Sequence, residues 1–150
     1  MTNAIPIREQ IVGTWELVEY SMTSADGEVH HPLGPDARGL IIYTPDGFMS
    51  AQLMTPGRPQ FHSPNVHGGE PDELIIAARG YLAYTGPFHV DEETRTVHHV
   101  TTVSLFPNWV GTDRLRIVRF DGDDAMTLST APFEFRGTSW KGAVVWRRAA

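Results

Sequence analysis

The sequence predicts an all-β fold: one antiparallel barrel or sandwich of about eight short strands with one short helix. Three observations carry this. Short β-branched and aromatic runs alternate with turn signals along most of the chain. Eleven prolines and fourteen glycines in 150 residues provide for many chain reversals. One stretch alone has helical character.

The elements follow in order. Residues Thr14 to Met22 alternate as a strand, and Asp26-Gly27 marks the turn after it. Gly39 to Thr44 is β-branched and aromatic; Pro45-Asp46-Gly47 then reverses the chain into Phe48 to Met54, a hairpin pattern. Thr55 to Asp72 is rich in Pro, Gly, His and Asn and reads as a long loop of the kind that forms lids or binding segments. Asp72 to Arg79 is the helix candidate, with Pro71 suited to its first turn and Gly80 to its end. Strands are expected over Tyr81 to Val90, Thr96 to Leu105, Asp113 to Phe120, Ala125 to Thr130 and Trp140 to Arg148, with Asp121-Gly122 as a further hairpin turn. No linker, repeat or low-complexity tract divides the chain, so one domain over 1–150 is expected, its core running from about 13 to 148.

Bulk properties narrow the function classes. The net charge of −6 opposes binding to a nucleic-acid backbone. No run reaches the length of a membrane-spanning helix. Without cysteine there is neither a disulfide framework nor a thiolate site. The first residues show no basic stretch followed by an apolar one, so a cytoplasmic location is expected. Phosphate-binding glycine loops, dinucleotide fingerprints and the Gly-x-Ser-x-Gly elbow do not occur, and no cofactor is expected.

A series of motifs spans nearly the whole chain. Gly13-Thr14-Trp15 comes first, then Tyr43 to Ser50 (Tyr-x-x-Asp-Gly-x-Met-Ser), Tyr84-Thr85-Gly86, Val97-His98-His99-Val100, Pro107-Asn108-Trp109-Val110-Gly111 and a terminal Trp146-Arg147-Arg148. In this order they resemble the bacterial and fungal lipocalin-like domain family, whose fold is a calycin-type β-barrel. The resemblance implies that Gly13 and Trp15 of the first strand pack at the closed barrel end against Arg147 or Arg148 of the last. The indole face would serve there as a cation–π platform. It also implies a cavity for an apolar small molecule, without deciding between carriage and catalysis.

Strand alternation nominates the cavity residues. With Trp15 inward, Leu17, Glu19 and Ser21 share its face, which makes Glu19 a candidate acid or base. The adjacent pair His98-His99 can offer only one imidazole to the lumen. The face of His98 also carries Thr102 and Ser104, hydroxyls able to orient a ligand, and His98 is preferred for proton transfer on that ground. Tyr84 is a candidate donor. Arg116 becomes a cation facing the ligand if Leu115 and Ile117 point outward. Tyr43, Phe48, Gln52, Met54 and Trp109 are candidate wall residues, with Gln52 on the Phe48/Ser50/Met54 face. His62, His67, His89, His98 and His99 include no pair on one strand face and none at helical metal-site spacing, so no metal is assigned.

The residues thus point to a barrel that binds a hydrophobic small molecule. A His98, Glu19, Tyr84 and Arg116 set would allow cofactor-independent cyclisation, isomerisation or dehydration. A non-catalytic carrier of a lipophilic metabolite and a protein–protein module, such as a homodimer, are the alternatives.

Overall fold

The computed structural model describes residues 4–149. In chain order the elements are α1 (Ile7–Ile11), β1 (Gly13–Ser24), β2 (Val29–His30), β3 (Arg38–Tyr43), β4 (Phe48–Met54), α2 (Pro71–Arg79), β5 (Tyr81–Asp91), β6 (Thr96–Val100) and β7 (Val103–Ser104). A single 3₁₀ turn (Pro107–Trp109) leads to β8 (Asp113–Asp121), β9 (Ala125–Ser129), β10 (Phe133–Phe135) and β11 (Thr138–Arg148). Antiparallel pairing runs β1-β3-β4-β5-β6-β8-β9-β11, and β11 pairs back with β1, which closes an eight-stranded barrel. Strands β2, β7 and β10 are short appendages to this ring.

The eight-strand pattern matches the sequence expectation, with two departures. The helix α1 was not expected, because five residues are too few for a period to show. Its logic is local: Ile7 and Ile11 stand one turn apart and are both buried. The Glu92 carboxylate accepts the backbone N–H groups of Ile7 (2.8 Å) and Arg8 (3.0 Å), satisfying donors that the helix start leaves open. The expected strand over Thr96 to Leu105 is broken into β6 and β7 by Thr101 and Thr102.

Gly86 shows why the break sits there. A Cβ on this residue would lie 1.9 Å from the carbonyl oxygen of Val100, so the two backbones approach more closely than any side chain permits. Gly86→Ala is expected to destabilise the fold by about 1–3 kcal/mol, the range for forced overpacking. It should appear as a lower urea midpoint at unchanged m-value; an unmoved midpoint would show that β6 yields freely.

The helix α2 starts at Pro71, with Glu70 and Glu73 forming a reciprocal capping box and Gly80 at its C-terminal cap. The long loop before it is tied down rather than free. Arg58 donates to the carbonyl of Ala77 (3.0 Å) and its guanidinium lies 5.1 Å from the Tyr81 ring centroid, while Glu73 accepts the His62 N–H (2.9 Å).

A β-bulge in β1 matters most for the interior. Leu17 pairs with Trp146 but Glu19 pairs with Val145, so Val18 is an extra residue. The alternation inverts past it: Trp15 and Leu17 face inward before the bulge, Tyr20 and Met22 after it.

Candidate functional site

One end of the barrel is plugged. Trp15 is fully buried and donates its indole N–H to the carbonyl of Ile11 (2.9 Å). The Arg148 guanidinium lies 4.1 Å from the Trp15 ring centroid and donates to the carbonyls of Gln10 (2.8 Å), Val12 (3.3 Å) and Asp123 (3.1 Å). Gly13 has φ +132°, and a Cβ there would sit 3.0 Å from Nη1 of Arg148, so both the backbone angle and the arginine require glycine. Of the two candidate arginines, Arg148 therefore forms the plug. Arg147 points outward to an exposed ion pair with Glu16 at 3.3 Å.

Beyond the plug lies a cavity of about 650 Å³. Aliphatic wall comes from Ile41, Leu53, Leu82, Leu128 and Val144, and aromatic wall from Trp109, Phe133 and Trp146. The polar lining is sparse and specific: Tyr20, Tyr84, Thr130, Asp113, Arg114 and Arg116. Tyr84, Trp109 and Arg116 are thus three sequence-nominated residues that the fold brings together. Leu115 and Ile117 are 41% and 39% exposed, which turns the alternate residues Arg114, Arg116 and Val118 toward the interior.

Behind the wall, His99 is wholly buried between two tyrosines. The Tyr43 hydroxyl is 2.7 Å from its Nε2 and the Tyr84 hydroxyl 3.2 Å from its Nδ1. Burial, with the nearby charges of Arg116 and His98 adding to it, lowers the His99 pKa to about 3, so the ring is neutral. Burial raises the Tyr43 hydroxyl well above its ordinary value, and Tyr84 is raised for the same reason. A neutral imidazole donates from one nitrogen and accepts at the other. Tyr43 is buried and His99 is its one partner among the described residues, so its O–H is satisfied only by donating to Nε2. Nδ1–H then donates to the Tyr84 oxygen, which leaves the Tyr84 O–H for the cavity.

Two further donors at the cavity have no partner among the described residues: the indole N–H of Trp146, a residue 1% exposed, and Nε of Arg114. The Arg114 guanidinium lies 5.2 Å from the Trp109 ring centroid. Neither Arg114 nor Arg116 makes an ion pair among the described residues.

Several nominated residues lie elsewhere. His99, not His98, is the buried imidazole. His98 stands on the outer face, its Nδ1 2.8 Å from the Asp113 carboxylate. Glu19 is exposed and contacts His31 at 3.3 Å, because the Val18 bulge exchanges its place with that of Tyr20. Strand β4 has the opposite parity to that expected: Met49, Ala51 and Leu53 face inward. Phe48 is therefore 51% exposed, and Gln52 and Met54 line an outer groove, where Gln52 accepts from the Tyr81 hydroxyl (2.6 Å). Tyr43 is a core residue in edge-to-face contact with Phe88 and reaches the site only through His99. The expected binding loop before α2 contributes no lining residue to the cavity.

Tyr20, Arg114 and Trp146 are among the lining residues that sequence reasoning missed. Arg114 was findable, since it shares the alternation of Arg116. Trp146 shares that of Arg148. Tyr20 was hidden by the bulge. On the outer surface the strand register sets His89 opposite His98, and together with Asp113 their ligand atoms lie within 4.8 Å of one another. Spacing along a single strand cannot reveal such a cross-strand group.

A protein of Aspergillus oryzae named 4'-hydroxy-3'-methoxypropiophenone carrier protein ppsC is 37% identical over 106 residues, spanning 67% of this chain and 96% of that protein. Among solved structures, a redesigned β-barrel covers 99% of this chain and 100% of its own, with 11% identity and a TM-score of 0.44. The model of the lipocalin-like domain family matches residues 12–149, which takes in the plug, the cavity and every barrel strand, and the chain belongs to that family.

Proposed function

We propose that this protein is a carrier that holds a small aromatic ketone inside its barrel. The observation that carries this reading is the cavity itself: about 650 Å³, walled by aliphatic and aromatic side chains, with a few hydrogen-bonding side chains in its lining. That is the composition of a small-molecule site. The name of the Aspergillus oryzae relative, a carrier of a hydroxylated, methoxylated propiophenone, supports the same ligand class. Carriage is favoured over proton-transfer catalysis by the chemistry of the buried imidazole. A general base works best with a pKa near the operating pH, and His99 at about 3 is far below it.

Trp109 and Trp146 in the wall provide the test. Titration with 4'-hydroxy-3'-methoxypropiophenone should quench tryptophan fluorescence to saturation, and the ligand should be recovered chemically unchanged. Val144→Trp, which places an indole at an inward-facing position of the cavity wall, should weaken that binding at least about tenfold, a loss near 1.4 kcal/mol. Equal quenching in both proteins would place the ligand outside the barrel. Recovery of a cyclised, isomerised or dehydrated product would restore the catalytic alternative.

A further inference from the structure

We propose that the cavity takes its aromatic ligand as the phenolate, with the ionised oxygen held among Arg116, Arg114, the Trp146 N–H and the Tyr84 O–H. This rests on the carrier reading and goes beyond it by naming the charge state that is bound.

The cavity is unbalanced in both charge and hydrogen bonding. Two guanidinium groups line it, and neither has a carboxylate partner among the described residues. The titratable and charged groups facing the ligand space are Tyr20 from β1, Tyr84 from β5, and Asp113, Arg114 and Arg116 from β8. The other lining strands contribute apolar or uncharged residues. Asp113 is the single acid of the group, and its carboxylate is engaged by His98 on the outer face. The net charge facing a ligand is positive, although the chain as a whole carries −6.

The hydrogen-bonding groups lean the same way. The Trp146 N–H and the Arg114 Nε–H are buried donors without partners. Such groups cost free energy until an acceptor arrives. The assigned His99 tautomer adds the Tyr84 O–H as a third donor. The equally buried N–H of Trp15 at the plug is satisfied by Ile11, whereas that of Trp146 in the cavity wall has no partner among the described residues. A neutral phenol would bring its own O–H into a site rich in donors. A phenolate brings only lone pairs and a negative charge. A phenol conjugated to a para carbonyl ionises readily, so the cost of losing its proton to solvent is small. Charge-assisted bonds to guanidinium are the stronger kind.

The probe is 4'-hydroxy-3'-methoxypropiophenone, whose phenol and phenolate absorb at different near-ultraviolet wavelengths. Its apparent pKa is read by spectrophotometric titration, free and with saturating protein, and its O-methyl ether is titrated in parallel by tryptophan quenching. The expected result is a bound pKa lower than the free one by about a unit or more, equivalent to about tenfold tighter binding of the phenolate. Arg116→Met should abolish most of that shift and lower the affinity for the phenolate by a larger factor than that for the ether. A bound pKa equal to or above the free value overturns the proposal while leaving the carrier reading intact. Failure of both probe and ether to bind removes the two together. The wild-type titration decides the matter even if the Arg116 variant does not fold.

Discussion

Acidification from pH 6.5 to pH 4 should cost the wild-type protein about 3 kcal/mol of stability through His99 alone, at about 1.4 kcal/mol per pH unit. The sign follows from where the proton goes. In the unfolded chain the imidazole titrates near its ordinary value of 6.5, whereas in the folded barrel its pKa is about 3. Between these values the unfolded state binds a proton that the folded state refuses. Stability is therefore level above pH 6.5, falls through the window from 6.5 to 3, and levels again below it. Urea unfolding at a series of pH values measures this slope. Asp91 and Glu73 have lowered pKa values from backbone hydrogen bonds and add their own loss at the acid end. A His99→Gln variant separates the terms. Glutamine still offers one acceptor and one donor to the two tyrosines but has nothing to protonate. Its stability at pH 7 should fall by about 1–3 kcal/mol from imperfect hydrogen bonding, and its slope between pH 6.5 and 4 should flatten. Parallel slopes in the two proteins would mean that His99 is not the buried neutral ring.

The same residue marks how far alternation alone could reach. Period-2 patterning and turn residues placed nearly every barrel strand, because those signals are local and each strand carries its own. Which face turns inward is not local. On β6 both faces of the His98-His99 pair are mixed, and the choice is made by Tyr43 and Tyr84, from strands β3 and β5. On β1 a single extra residue, Val18, moved the inward set from Glu19 to Tyr20, and nothing in the local sequence announces a bulge. On β4 the large residues Phe48 and Met54 suggested the wrong face. The small Ala51 and the flexible Met49 are the ones that fit the crowded interior beside Tyr84 and Tyr43. Arg116 and Tyr84 were nominated on chemical grounds and do line the cavity, since a short alternating run with two aliphatic neighbours left only two options for Arg116.

Trp15→Ala should be the most damaging single change at the plug, at about 3–5 kcal/mol, the range for truncating a buried tryptophan. The loss is large because three interactions end together: the fully buried indole, its N–H bond to Ile11, and the platform beneath Arg148. Comparison of the two neighbouring arginines tests whether the plug is specific. Arg148→Met removes the stacked cation and leaves the carbonyls of Gln10 and Val12 without that donor, in part-buried surroundings. It should cost about 1.5–3 kcal/mol, as hydrogen bonds to a charged group do. Arg147→Met removes one exposed ion pair and should cost under about 1 kcal/mol. In the Trp15→Ala background the Arg148→Met penalty should shrink, since the ring it lies over is gone; a double-mutant cycle by urea unfolding measures that coupling. Purely additive losses would deny the stacking. The coupling bears on the cavity as well. Trp146 lies two residues before Arg148 on β11 and pairs with Leu17, two residues beyond Trp15 on β1. Loosening the plug therefore loosens the strand pair that holds Trp146 in the cavity wall. Arg148→Met should weaken ligand quenching several-fold, and Arg147→Met should leave it unchanged.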